Sequence, residues 1–350
     1  MKIGLYGYEN AGATTLFNAI TGFNIPTGFS GDRQQTHLGT VKVPDPRLDV
    51  LTKLYQPKRT IHAELVFTDF PAASREKKAL SNVQDAKTMD MLVLLVGAFS
   101  SDGQKPDPVG ELENLLTEMV LVDLEHVSKY LEKQRKLPGS AAGKDPRMVT
   151  LVERLLPHLE SGLPVRSFGF SPEEETALRG FSFLTIKPAL AAINVDESRL
   201  GEKADEAMEK LAEHHRVRTF LLSARVEEEI SRLAPEDQEL FLADLGLTEK
   251  LSGRLLRAAY DLANLMCFFT VGPDEVRAWT IEKNTPAKQA AGVIHSDLEK
   301  GFIRAEVFTY DDIVEVKGNE GELKKRGKHR LEGKDYIVRD GDILHVRFNV

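Results

Sequence analysis

The segment Gly7-Tyr8-Glu9-Asn10-Ala11-Gly12-Ala13-Thr14 has the frame of a phosphate-binding loop, G-x-x-x-x-G-K-[ST], with alanine where the lysine belongs. The frame matters because successive backbone N–H groups and the N-terminus of the next helix surround a phosphate, while the Thr14 hydroxyl can reach a magnesium ion. The lysine matters because its ammonium follows the β- and γ-phosphates and offsets charge as the bond breaks. With Ala13 in its place that charge is gone, and Glu9 adds a negative one to the same loop. Two unit charges about 4 Å apart interact by about 4 kcal/mol at an effective dielectric of about 20, so the loss is on the order of a thousandfold in affinity. On this motif alone, a Gly-rich strand-to-helix turn without nucleotide stands level with a nucleotide site.

Three further elements fall where such a site would need them. Thr68-Asp69-Phe70-Pro71-Ala72 ends an apolar run where a magnesium-linked D-x-x-G would sit, but Ala72 replaces the glycine, and Pro71-Ala72 implies a stiffer segment. A lone aspartate at a strand end is more often a cap or turn residue than a metal ligand. Asn194-Val195-Asp196-Glu197 has the form of a base-reading N-K-x-D element altered to N-x-x-E, and Ser223-Ala224-Arg225 is the matching S-A-x turn. Both follow apolar runs, at the carboxyl ends where open sheets bind ligands.

Those residues require a parallel sheet to hold them. Residues 2–6, 62–68, 91–97, 188–193 and 220–222 read as short buried strands, and residues 14–21 as the helix after the glycine turn. Between the third and fourth strands, residues 111–136 and 145–159 carry helical apolar spacing on either side of a Pro-Gly-Ser turn, which predicts an antiparallel helical hairpin. Helical spacing over 252–265 leads into a change of texture at about Phe268, where short β-type runs at 275–281, 303–309, 336–338 and 343–348 predict a separate small domain. The mixed-charge stretch 317–330 reads as a solvated loop.

The 350 residues, 41% hydrophobic and 29% charged, suit a soluble globular chain of two or three domains. A balance of 46 Lys+Arg against 54 Asp+Glu gives net charge −8, which argues against coating nucleic acid through global charge but not against a local basic patch. The single cysteine, Cys267, has no internal disulfide partner and points to a reducing, cytoplasmic setting. No signal peptide or membrane span is visible in the sequence. His214-His215 reads as a solvated helix face, His295 as structural, and Trp279 as core of the small domain.

Taken in order, the phosphate loop, the D-x-x-G remnant, the helical insertion, N-x-x-E, S-A-x and the β-rich end resemble the YchF subgroup of Obg-like nucleotidases. The C-terminal third carries the most specific stretches: 268–280 (FFTVGPDEVRAWT), 289–295 (QAAGVIH), 299–306 (EKGFIRAE) and 331–336 (LEGKDY), joined upstream by 43–48 (VPDPRL) and 16–19 (LFNA). The resemblance implies an α/β P-loop G domain over 1–106 and 181–267, a helical insertion over 107–180, and a TGS domain of β-grasp fold over 268–350. It also implies ATP hydrolysis in preference to GTP and association with ribosomes. Carried over by position, Gly7, Asn10, Ala11, Gly12, Ala13, Thr14 and Thr15 would line the phosphates. Thr14 and Asp69 would serve magnesium, and Asn194, Val195, Glu197, Ser223 and Ala224 would lie at the base.

The departures fall together at the phosphate end. Ala13 replaces the lysine, Ala72 the switch glycine, and an ungapped count back from Gly39 puts Arg33 at the switch threonine, whereas a gapped one restores Thr36. The reading that follows is a purine nucleotide-binding protein with weak or lost hydrolysis, taking ATP or GTP with magnesium and acting with the ribosome or RNA through its helical and TGS surfaces. An active ATPase would need a substitute cation, for which Arg33, Lys58, Lys77 and Lys78 are the candidates. A nucleotide-independent RNA- or ribosome-binding module would rest on the basic cluster 324–330 (KKRGKHR).

Overall fold

A computed structural model of the chain describes residues 1–27, 35–72, 83–100, 105–138, 145–247 and 249–349. In chain order the first elements are β1 (Lys2–Gly7), α1 (Ala13–Thr21), β2 (His37–Lys42), α2 (Pro46–Tyr55), β3 (Arg59–Ile61), β4 (Glu64–Asp69), α3 (Val83–Lys87) and β5 (Met91–Gly97). The long helices α4 (Pro108–Lys136) and α5 (Pro146–Glu160) follow, then α6 (Pro172–Leu178), β6 (Ala189–Asn194), α7 (Glu206–His214), β7 (Arg218–Leu222), α8 (Ala224–Ser231), α9 (Pro235–Asp244) and α10 (Leu251–Leu262). The chain closes with β8 (Leu265–Thr270), β9 (Glu275–Glu282), α11 (Ala287–Ile294), α12 (Ser296–Lys300), β10 (Phe302–Thr309), α13 (Tyr310–Glu315), α14 (Glu320–Lys325), β11 (Arg330–Glu332) and β12 (Asp342–Phe348).

By contacts the chain divides into two units: Met1–Thr40 with Val66–Leu255, and Val41–Leu65 with Leu256–Val350. Residues 41–65, which the sequence reading placed in the first domain, cluster with the C-terminal unit.

The first unit is built on a sheet of order β2-β4-β1-β5-β6-β7, with β1 parallel to β4 and β5, β5 parallel to β6, and β6 parallel to β7. Strands β5 and β6 are buried almost end to end, as expected of parallel strands covered on both faces. Helix α4 serves two cores in succession. Its Leu112, Leu115 and Met119 pack on Leu92, Leu94 and Val96 of the sheet, whereas Val127 and Leu131 pack on Leu151, Val152 and Leu155 of α5. At 29 residues α4 is about 44 Å long, so its C-terminal half runs on past the sheet as one arm of the expected hairpin. Asp107 and Asp145 cap the two helices, each accepting from a backbone N–H of the first turn.

The second unit is a mixed sheet of order β11-β10-β12-β8-β9-β3. Here β10 runs antiparallel to both β11 and β12, β12 parallel to β8, β8 antiparallel to β9, and β3 parallel to β9. Helix α11 lays Ala287 and Ala290 against Phe268, Val307 and Leu344.

Several local expectations change. The strand expected over 62–68 forms at 64–69 as β4 in the first sheet, whereas β3, ending at Ile61 just before it, belongs to the second. Residues 336–338 contribute only an isolated antiparallel bridge, Pro286 to Ile337, flanked by the bonds of Ala287 N to the Tyr336 carbonyl and Val338 N to the Thr285 carbonyl, while Tyr336 N donates to the turn carbonyl of Gly333. The stretch 317–330 contains α14, nucleated by the Asn319 side-chain cap and anchored by the buried Leu323. His215 is not solvated but 7% exposed at the end of α7, and burial, with His214 and Arg166 nearby, pulls its imidazole down to about 4. Trp279 is half-buried on the core, donating from Nε1 to Thr270 Oγ1 beneath the Arg277 guanidinium.

Candidate functional site

At the end of β1 the backbone of Gly7 runs so close to β5 that a Cβ there would lie 2.7 Å from the Leu95 carbonyl oxygen. The chain then turns, with Ala11 N donating to the Tyr8 carbonyl and with Asn10 and Gly12 in the left-handed region at φ 66° and 97°. A side chain at Gly12 is excluded twice, by that φ and by the Asn194 amide nitrogen 2.3 Å from its would-be Cβ. Helix α1 starts at Ala13, so the first N–H groups of α1 have no carbonyl of their own helix to bond.

Thr14 Oγ1 donates to Asp69 Oδ2 at 2.8 Å. Asp69 is 2% exposed at the end of β4, and its second oxygen, Oδ1, is buried with no hydrogen-bond partner among the described residues. Burial pushes its carboxyl above the usual range, against the opposing pull of the Thr14 hydroxyl and His37. A side chain that the sequence reading did not single out completes this corner. His37 opens β2, lines the same cavity, and holds Nδ1 3.6 Å from Asp69 Oδ2. No local pattern marks it, because only the placement of β2 in the sheet brings it to Asp69.

The base-side residues converge differently from expectation. Asn194 is 5% exposed, and both ends of its amide are engaged: Nδ2 donates to the Ala11 carbonyl and Oδ1 accepts from Ala224 N, each at 2.9 Å. It therefore ties the phosphate loop to the Ser223-Ala224 turn. Val195 is buried and donates its N–H to the Leu222 carbonyl, while Glu197 is exposed.

These groups border one cavity of about 1240 Å³ at the carboxyl ends of the strands. Asn10, Gly12, Ala13, Thr14 and Thr15 line one part of it, and Asn194, Val195, Glu197, Ser223 and Ala224 another. Gly7 and Ala11 do not reach it: one packs on β5 and the other presents its carbonyl to Asn194. The charge balance of the wall is acidic. Carboxylates of Glu9, Asp69, Asp196, Glu197 and Asp244 border it, and the two arginines there are already paired on their own helix, Arg225 with Glu229 at 3.0 Å and Arg232 with Glu228 at 2.8 Å.

The donor set suits a magnesium nucleotide in one respect and not in another. Thr14 and Asp69 offer oxygen ligands, one of them an orphaned buried carboxylate oxygen, and magnesium is held by one or two such groups together with phosphates and water. The N-terminus of α1 suits phosphate. The missing ammonium has no replacement among the described side chains that the sequence reading nominated. Lys58 pairs with Asp274 at 2.8 Å in the second unit, and Arg33, Lys77 and Lys78 lie outside the described residues. The basic cluster 324–330 is largely neutralised as well. Arg326 pairs with Glu315 and Glu322, Lys328 with Asp312 and Glu315, and His329 with Glu306. His295 caps α12 through Nδ1. Among the described residues no helix is long and apolar enough to cross a membrane.

Residues 265–349 match the family model YchF-GTPase_C, described as a protein of unknown function (DUF933). The whole chain is 38% identical to 99% of the ribosome-binding ATPase YchF of Haemophilus ducreyi, and 36% identical to the full length of the protein of the same name from Bacillus subtilis. It is 32% identical to 92% of Obg-like ATPase 1 of Oryza sativa subsp. japonica. The YchF GTPase structure of Schizosaccharomyces pombe superposes with a TM-score of 0.85 at 29% identity, over 99% of this chain and 97% of that one. With a glycine cradle, a Thr14–Asp69 pair and an Asn194 tie on this framework, and with relatives of that identity over its full length, the chain belongs to the YchF family.

Proposed function

We propose that this chain is a purine nucleotide-binding member of its family, associated with the ribosome in the cytoplasm, in which hydrolysis is weak or lost. The observation that carries the reading is the combination at the head of α1: an intact backbone cradle and an oxygen pair for magnesium, beside Ala13 and a wall whose two arginines face Glu228 and Glu229. A cradle of N–H groups holds a ground-state phosphate, but turnover needs charge that strengthens in the transition state. The names of the relatives support the ribosome and ATP as partners, and the two units correspond in this reading to a G domain carrying a helical arm and a TGS domain.

Thr14, Asp69 and the N–H groups at the start of α1 would hold the magnesium nucleotide, and the metal would supply positive charge that offsets part of the phosphate charge. Asn194 sets the distance between phosphate loop and base turn, and Glu197 stands at the rim of the base end. An RNA-binding module resting on residues 324–330 is less favoured, since Arg326 and Lys328 meet carboxylates.

The test is calorimetric titration of the full chain with ATP and GTP plus magnesium, beside the Ala13→Lys variant, with phosphate release measured on both. Measurable binding with little turnover, both raised by Ala13→Lys, is the expected outcome. Turnover by the unmodified chain at a rate the lysine variant does not exceed would return the ATPase reading to first place. Ribosome co-sedimentation tests the partner, and its absence with every nucleotide would remove it.

A further inference from the structure

We propose that His37 is the phosphate-end binding residue of this chain, a ring N–H donor that takes over part of the contact the missing lysine would make. The inference rests on the reading that the cavity takes a nucleotide, and it names the group that reads the terminal phosphates.

Thr14 and Asp69 mark the metal and phosphate end, because one opens α1 and the other closes β4, and they meet through a 2.8 Å hydrogen bond. His37 stands against the same oxygen of Asp69, on a strand that neither of them occupies, with 22% of its side chain open. It lines the cavity beside Thr14 and Asp69.

Among the described residues the cationic side chains on the wall are Arg225, in α8, and Arg232, just past its end, and each is paired with a glutamate of α8. His37 faces one carboxylate, that of Asp69. At 3.6 Å its Nδ1 is too far from Asp69 for a hydrogen bond, and that nitrogen has no other partner among the described residues. Asp69 thus faces the ring without fixing it. With Nδ1 buried, the N–H that reaches a phosphate oxygen is the one on Nε2.

An imidazole donor differs from an ammonium in a way that fits the whole site. One N–H to a phosphate oxygen orients the group and contributes about tenfold to affinity. It does not bring the full positive charge that tracks the transferring phosphoryl group, so binding is retained more than hydrolysis.

The experiment is a set of titrations of the full chain with AMP, ADP and ATP, each with magnesium, on the unmodified protein, His37→Ala, His37→Gln, Ala13→Lys and the double variant Ala13→Lys/His37→Ala, with a thermal melt of each. His37→Ala is expected to lose about tenfold for ADP and ATP and less than about twofold for AMP, and His37→Gln to keep most of the affinity through its amide N–H. In the Ala13→Lys background the His37→Ala loss should shrink to less than about threefold, since the lysine makes the imidazole dispensable. An equal loss in both backgrounds would mean that His37 merely supports Asp69, and equal losses for all three nucleotides would mean a damaged pocket; either overturns the proposal. Unchanged ATP affinity in His37→Ala overturns it while leaving the nucleotide reading intact. No nucleotide bound by either the unmodified chain or Ala13→Lys would remove the nucleotide reading and His37 with it.

Discussion

Asn194 donates its side-chain amide to the carbonyl of Ala11, 183 positions earlier in the chain, at 2.9 Å. The same amide accepts from Ala224 N, so one buried side chain spans the glycine turn after β1 and the Ser223-Ala224 turn. Asn194→Ala leaves a buried donor and a buried acceptor unpaired and should cost about 2–3 kcal/mol in urea denaturation. The loop geometry makes a sharper statement. Gly12→Ala places its Cβ against Asn194 Nδ2, so part of its cost should vanish when Asn194 is already alanine, the residue at φ 97° retaining only its backbone strain. A double-mutant cycle measures this directly, and strictly additive costs would sink the idea that Asn194 sets the loop.

Asp123 plays the corresponding part at the middle of α4. It is fully buried and accepts from Leu184 N, Thr185 N and Thr185 Oγ1, joining the helix to the segment that leads into β6. Arg166 donates to the Thr185 carbonyl close by, and burial draws its guanidinium down to about 10 despite the neighbouring Asp123 charge. Asp123→Ala therefore strands three donors and a buried cation. A loss of about 3 kcal/mol or more is expected, and Asp123→Asn, which keeps one acceptor oxygen, should lose less. Equal unfolding midpoints for the two variants would argue that the carboxylate's hydrogen bonds contribute little.

How much of this was legible follows from the range of the interactions. Gly7, Gly12, Thr14 and Asp69 announce themselves because strand, turn and helix are local patterns, and a parallel sheet brings strand ends together whatever their separation in sequence. The tie made by Asn194 was not legible as such, since an Asn after a strand looks the same whether its amide faces a base or two backbone groups. Residues 41–65 were misplaced because Arg59-Thr60-Ile61 carries no mark of which sheet it will join. The basic stretch 324–330 looked like a patch because its partners, Asp312 and Glu315, come from α13 and only folding sets them opposite Lys328.

His215 gives a pH dependence with a definite sign. Its imidazole titrates near 6.5 in the unfolded chain and at about 4 when buried, so between those values the unfolded state binds the extra proton. The stabilisation is complete above about pH 6.5 and is lost as pH falls toward 4. His215→Leu removes this contribution, so the difference in urea midpoint between variant and parent should shift in favour of the variant as pH is lowered from 7.5 to 4.5. The comparison isolates His215 from His126 and His329, which burial also holds below the usual range. Parallel curves for parent and variant would rule out a buried neutral His215.

Arg47 shows why 41–65 belongs with the C-terminal sheet. Its guanidinium donates through Nη1 to Asp340 Oδ2 at 2.6 Å and through Nε and Nη2 to Asp45, and lies 5.2 Å from the centre of the Phe269 ring. Asp340 in turn accepts from Cys267 N at the start of β8. A surface ion pair alone contributes about 0–1 kcal/mol, and Asp340 is 52% exposed, so charge by itself would hold little here. The planar fork that meets two carboxylates while stacking on a ring is a different matter, because lysine retains the charge and loses both the fork and the stack. Arg47→Lys should therefore destabilise the chain by about 1–2 kcal/mol, nearly as much as Arg47→Ala, and 0.5 M salt should change the difference only slightly. If lysine restored full stability, attraction between charges would be sufficient, and the fit of the guanidinium between Asp45, Asp340 and Phe269 would carry no weight.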